Sequence, residues 1–293
     1  MLIGNNPLNE KPEWFKKNIE ISPQSKHVEV ENKKIKYFIW GDVSLPKLIF
    51  LHGFNAHSYW WSHIAPFFNA KYCVVALDFS GMGESEHREE YSQAMYSKEI
   101  KAVIDEMECT KPICLAHSMG GAIAMFSTSM FPDLFSKIIL LDSVVVLPPE
   151  KAEMMKSRRP KSRMEIASDS IDAAVSRFRL MPPQPCAQEY VLEYIAKTSY
   201  RETEQGWILK SDPKISSTYK YNDLHEMMMN PKTDLEIIYG QLSQVFTPDV
   251  LDYMKYAGQL DETKIHRLEG AMHHLFLDRP LEFKDLVLKI LEN

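Results

Sequence analysis

The stretch Ile113 to Ala124 runs from an apolar, strand-like start through a turn of small residues into a helix-like end, and it places Ser118 at the tip of that turn. A serine held there is lifted clear of a sheet edge, where a base can reach its hydroxyl, and the chemistry it can do is nucleophilic attack on a carbonyl. The turn closes only if the positions two before and two after are small, and they are Ala116 and Gly120. Alanine replaces the more usual glycine at the first of these, and a serine that merely caps a helix is the alternative reading.

Two further stretches supply what such a serine needs. Leu48 to Leu51 is a second apolar run; it ends in His52-Gly53-Phe54 and opens toward Trp60, Trp61, Ile64, Phe67 and Phe68, which predict a helix. At that strand end the backbone N–H of Phe54, together with that of Met119, can face the carbonyl oxygen of a substrate over Ser118 and stabilise the charge that develops there. His52 itself reads as a turn residue. Near the C-terminus His273 and His274 stand on a loop between a strand-like segment and the last helical stripe, and a histidine there can reach back to Ser118 as general base.

The elements that must position these groups are legible as a rhythm. Leu48–Leu51, Cys73–Leu77, Ile113–Ala116, Ile138–Leu141 and Leu235–Tyr239 are short apolar runs, as in strands of a parallel sheet covered on both faces. Between them lie helical stripes: Ile100, Val103, Ile104 and Met107, then Phe283, Leu286, Val287, Ile290 and Leu291. Ahead of them, residues 27–31 and 34–40 alternate polar and apolar around Asn32-Lys33 and predict an edge hairpin. From Leu147 to Asn230 strand-like runs vanish and prolines cluster at 148, 149, 182, 183 and 185, which predicts a helical insertion over the C-terminal edge of the sheet.

The motifs taken together resemble the α/β-hydrolase superfamily. His52-Gly53-Phe54, Asp78 to Ser85, Ala116 to Gly120 and His273 with Asp278-Arg279-Pro280 occur in that family's order, over about Lys33 to Glu292. The resemblance implies an α/β fold, a mostly parallel eight-stranded-type sheet with helices on both faces, and a helical cap inserted after the sixth strand. The expected organisation is a core over 1–146, including an N-terminal extension 1–26, a cap over 147–230, and the rest of the core over 231–293. It also selects the base, because the family's catalytic histidine commonly lies seven residues before a proline, as His273 does before Pro280. His274 is then a packing or supporting residue.

The carboxylate that orients the base departs from the common pattern. In most relatives it follows the strand after the insertion, but that strand here ends in Tyr239-Gly240-Gln241-Leu242-Ser243, with serine in the expected position. A second arrangement found in some relatives puts the acid at the end of the preceding strand, and Asp142, 24 residues after Ser118, stands there. The implied reaction is acyl transfer to water from a small ester, through an acyl-enzyme on Ser118 with His273 and Asp142. Lactone, thioester or C–C bond hydrolysis on the same residues is the alternative, and a non-catalytic binding protein on this fold is the second. A serine at 118 argues against the haloalkane dehalogenase and epoxide hydrolase resemblances, which need an aspartate there.

Neither cofactor nor metal is called for, and the partner expected is a small molecule. A formal charge of −6 gives no basic face for nucleic acid, and no apolar run is long enough for a membrane span. A polar N-terminus without a signal-like core and four cysteines without Cys-x-x-Cys spacing predict a cytoplasmic protein with reduced thiols. Five cations in residues 156–163 read as a solvated face, the alternative being a lure for an anionic substrate. The methionines 154, 155, 164, 181 and 227–229, with Phe178 and Trp207, either line an apolar pocket or form the insertion's own core.

Overall fold

The computed structural model describes residues 11–157 and 164–292. Its strands are β1 (Gln24–Val30), β2 (Lys33–Trp40), β3 (Lys47–Leu51), β4 (Cys73–Leu77), β5 (Ile113–His117), β6 (Lys137–Leu141), β7 (Tyr200–Thr203), β8 (Gly206–Leu209), β9 (Asp234–Gly240) and β10 (Ile265–Leu268). Eight of them form one sheet in the order β1-β2-β4-β3-β5-β6-β9-β10. β1 and β2 pair antiparallel, as do β2 and β4, and every later pairing in this sheet is parallel. The edge hairpin turns through Glu31 and Asn32, whose φ of 47° and 59° suit the tight turn that right-twisted strands require.

The continuous apolar runs have a simple cause. In β3, Ile49 and Leu51 enter the core on one face and Leu48 and Phe50 the core on the other, and β5, β6 and β9 split in the same way. The first face is covered by α2 (Gln93–Glu106), α3 (Met119–Met130) and α9 (Pro248–Gly258), through Ile100, Val103, Ile123, Val250 and Met254. The second is covered by α1 (Glu13–Glu20), the single turn α10 (Leu275–Asp278) and α11 (Pro280–Leu291), through Phe15, Phe276, Phe283, Val287 and Ile290. Ser92 caps α2 by accepting from the Met95 N–H, and Pro280 opens α11 where no amide hydrogen is needed. Among the described residues no helix is long and apolar enough to cross a membrane.

Two expectations are corrected. The aromatic stretch after Phe54 is not one helix but two single turns, Ser58–Trp61 and Ala65–Phe68, because Pro66 supplies no amide hydrogen to continue the first. The stretch between β6 and β9 carries α4 (Pro149–Ser157), α5 (Ile171–Arg177), α6 (Glu189–Thr198), α7 (Ile215–Thr218) and α8 (His225–Met229), but it also holds the β7–β8 hairpin. That hairpin escapes a hydropathy reading because β7 is mostly polar and exposed; its turn depends on Gly206 at φ +111°, where a Cβ would meet the Ser168 carbonyl oxygen at 2.6 Å.

Of the described methionines of this stretch, Met154, Met164, Met181 and Met229 are exposed, whereas Met228 is buried against Gly258 of α9 and Met227 packs on the same core. The side chains of Met155 and of the basic run 156–163 lie outside the described residues. All four cysteines are free thiols.

Candidate active site

Ser118 sits between the end of β5 and the start of α3 with φ 52° and ψ −120°, a left-handed conformation that costs a non-glycine residue of order 1–3 kcal/mol. The surroundings hold it there. Its N–H donates to the Leu141 carbonyl at 3.1 Å, and its own carbonyl accepts from the Ser143 hydroxyl at 2.5 Å and the Gly121 N–H at 3.0 Å. The demand for small neighbours is geometric: a Cβ on Gly120 would lie 2.7 Å from the His52 carbonyl oxygen, and one on Gly121 would lie 2.2 Å from Ser143 Oγ.

Three side chains from three strand ends then meet in a line. His273 Nε2 is 3.0 Å from Ser118 Oγ, and His273 Nδ1 is 2.7 Å from Asp142 Oδ1. Asp142 directly follows β6 at φ 45°, and its other oxygen accepts the Gly240 N–H from the end of β9 at 2.9 Å. The Ser243 hydroxyl donates to Oδ1 at 2.7 Å. Every hydrogen bond on this fully buried carboxylate is therefore donated to it. Ser243 thus occupies the position where an aspartate is common and touches the aspartate that stands one strand away. Asp249, by contrast, pairs with Lys151 at the surface, and Asp278 accepts from the Met272 N–H at 2.8 Å.

The two backbone donors flank the serine. Gly53 packs so closely that a Cβ would lie 3.1 Å from Ser118 Cβ, which brings the His52–Phe54 turn against the serine. Met119 is the first residue of α3, so its N–H has no partner within the helix. Among the described residues no carbonyl takes the Phe54 N–H either.

Imidazoles crowd this end of the sheet. His52 donates from Nδ1 to the Gly53 carbonyl and accepts the Phe79 N–H at Nε2, so it is a turn residue; burial holds its pKa down to about 4. Burial lowers His63 to about 4 as well, and drives His57, His117 and His274 well below the ordinary range, the last two helped by the nearby His273. His117 Nε2 is 3.0 Å from the His273 carbonyl oxygen, to which it donates. Sequence reasoning missed His117, Ser143 and Ser243 as supports, because each acts through a contact between strand ends far apart in the chain.

The segment between β6 and β9 touches the same loops. Ser199 Oγ is 2.9 Å from His57 Nε2, Ser211 donates to Asn55 at 2.6 Å, and Gln184 bonds both His274 and Asp278. Phe178 packs on Trp60, with ring centroids 6.4 Å apart.

A strained serine at a strand-to-helix turn, an imidazole on it and a parallel sheet beneath define the α/β hydrolases as a class. The chain belongs to that family: residues 46–280 match the model of the alpha/beta hydrolase fold. Among curated proteins it is similar to a serine hydrolase-like protein of Danio rerio, 23% identical over 190 residues covering 61% of this chain and 58% of that one. It is also similar to epoxide hydrolase 4 of Mus musculus, 32% identical over 112 residues covering 37% and 31%. A monoacylglycerol lipase of Rattus norvegicus is 24% identical over 264 residues, 84% of this chain and 75% of that one. The chain spans less than two thirds of the length of the first two. Among solved structures, a thioesterase domain from the curacin biosynthetic pathway superposes with a TM-score of 0.75 at 22% identity, covering 91% of this chain and 99% of that domain.

Proposed function

We propose that the protein is a serine hydrolase that cleaves a small carboxylic ester through an acyl-enzyme. The observation that carries this is the continuous line from Ser118 Oγ through both ring nitrogens of His273 to Asp142, at 3.0 and 2.7 Å. His273 takes the Ser118 proton at Nε2 as the oxygen attacks the ester carbonyl, and its Nδ1–H, donated to Asp142, fixes the tautomer and stabilises the imidazolium that forms. The Phe54 and Met119 N–H groups receive the oxyanion. Collapse of the intermediate expels the alkoxide, which takes the proton from His273 Nε2; a water then repeats the sequence against the acyl group and frees Ser118.

Serine at 118 favours this reading over epoxide opening, and the lipase among the relatives agrees with an ester carbonyl as the target. The stretch 147–230 acts here as a cap over the catalytic edge. The test is Ser118→Ala assayed with p-nitrophenyl butyrate: kcat falls by on the order of 10⁵ or more, with an unchanged near-ultraviolet circular dichroism spectrum. Retained turnover in the purified variant overturns the reading.

A further inference from the structure

The proline cluster at 182, 183 and 185 surrounds one polar side chain, Gln184, in the segment between α5 and α6. Both ends of its amide are engaged on the loop that carries His273. Nε2 lies 3.0 Å from each oxygen of Asp278, and because a carboxylate only accepts there, this end must be the NH₂. Oε1 then accepts from the His274 N–H at 3.1 Å and from His274 Nδ1 at 2.8 Å. Asp278 in turn accepts the Met272 N–H at 2.8 Å.

These bonds bracket the base. Residue 272 is pinned through Asp278 and residue 274 directly, both from the same side chain, while His117 holds the carbonyl of His273 from the sheet. Prolines on either side fix φ along the strap, so little conformational freedom is lost when Gln184 seats. We propose that Gln184 is a positioning residue for His273, tying the loop that bears the base to the insertion, so that the imidazole lines up with Ser118 only while the strap 181–186 is in place. This rests on the reading of Ser118 and His273 given above.

Loss of the clamp misplaces a group that must meet Ser118 to within a fraction of an ångström, and such displacements cost up to about 100-fold in rate. Gln184→Ala is therefore expected to lower kcat on p-nitrophenyl acetate roughly 10- to 100-fold with KM within about threefold of the wild type. Gln184→Glu keeps an oxygen for His274 but sets a second carboxyl against Asp278, and two carboxyls that close share one proton. The clamp then holds while the proton is shared and breaks as it leaves, so kcat gains a descending limb with rising pH that the wild type lacks.

The other titratable groups around the pair are His273, His274, His117, Asp142 and Cys186. Burial keeps His274 and His117 neutral and pushes the Cys186 thiol up to about 11, so none of these three supplies such a limb below that pH. A wild-type kcat in the alanine variant, a loss confined to KM, or a glutamate profile parallel to the wild type overturns the proposal. If Gln184→Ala does not fold, the glutamate profile decides. Should the Gln184 variants behave as wild type while Ser118→Ala is inactive, only this inference fails; should Ser118→Ala stay active, the functional reading fails first.

Discussion

The C-terminal edge of the parallel strands and the segment between β6 and β9 are held together in different ways. At the edge, Ser118, Asp142 and Gly240 each follow or end a strand of the sheet, and the register of β5, β6 and β9 brings them side by side. Strand pairing through fully buried residues thus does most of the positioning, and a single side-chain change leaves it standing. Among its described residues the segment 147–230 has no such register with the main sheet. It joins the two cores through side chains such as Val191, Ile195, Ile215 and Met228, and individual bonds tie it to the loops, such as Tyr91 to Asp212 at 2.5 Å, the Asp212 N–H to the Gly81 carbonyl at 2.7 Å, and Ser211 to Asn55. The edge is where a change is expected to alter chemistry without altering the fold, and the insertion is where a change is expected to alter access and alignment.

The largest effect that sharpens this comparison lies at the edge. Asp142→Asn keeps the size and most of the bonding but removes the charge that, in the proposed mechanism, stabilises the His273 imidazolium, and kcat is expected to fall roughly 10³- to 10⁴-fold. Ser243→Ala leaves that charge and the Gly240 N–H in place, removing one of the bonds donated to Asp142, so about a tenfold loss is expected. Steady-state kinetics of both variants on one ester check the ranking; equal losses would mean that the bond Ser243 donates to Asp142, and not the charge on Asp142, is what the site requires.

A smaller effect lies in the insertion. With Gln184, Ser199 and Ser211 bonded to the loops around Ser118, a compact acetate or butyrate ester is expected to be cleaved at least about tenfold faster than emulsified triolein, since an enclosed site admits what its volume allows. Comparable rates would mean that the insertion leaves the edge open.

The smallest effect separates the regions by pH. Five buried imidazoles, His52, His57, His63, His117 and His274, have depressed pKa values and belong to the edge and its loops; none lies in 164–230. The unfolded chain protonates them near 6.5, whereas in the folded chain His52 and His63 resist to about 4 and the other three are held well below the ordinary range, so their contribution to stability is present above 6.5 and is lost as pH falls through the folded values. Asp78 and Glu99 oppose this, because burial raises them to about 6 and about 7 and the folded chain then binds protons more tightly than the unfolded one. The imidazoles outnumber them, so urea unfolding at pH 5 is expected to give a lower stability than at pH 7.5, by on the order of 1 kcal/mol or more. Equal stability at the two values would contradict the burial of these rings.

Much of the edge was legible in the chain because its signals are local. The Ala116 to Gly120 turn, the His52-Gly53 strand end and the paired-face runs of β3 to β6 each declare themselves within a dozen residues. The choice between His273 and His274 needed the family's spacing to Pro280, and Asp142 needed the observation that Ser243 is no acid. What stayed hidden are contacts between distant segments: Ser243 on Asp142, His117 on the His273 carbonyl, Gln184 on His274. The β7–β8 hairpin stayed hidden for another reason, since a small, largely exposed hairpin has little apolar alternation to display and relies on the backbone freedom of Gly206.

The nucleophilicity of Ser118 is read out by labelling with a small fluorophosphonate followed by peptide mapping. The reagent requires a nucleophilic serine, a base that takes its proton and donors for the phosphoryl oxygen, all three at once. One adduct is expected, on Ser118, formed rapidly in the wild type, absent in Ser118→Ala and slowed at least about 100-fold in Asp142→Asn. No adduct, an adduct on another serine, or an Asp142→Asn rate equal to that of the wild type would contradict the proposed mechanism.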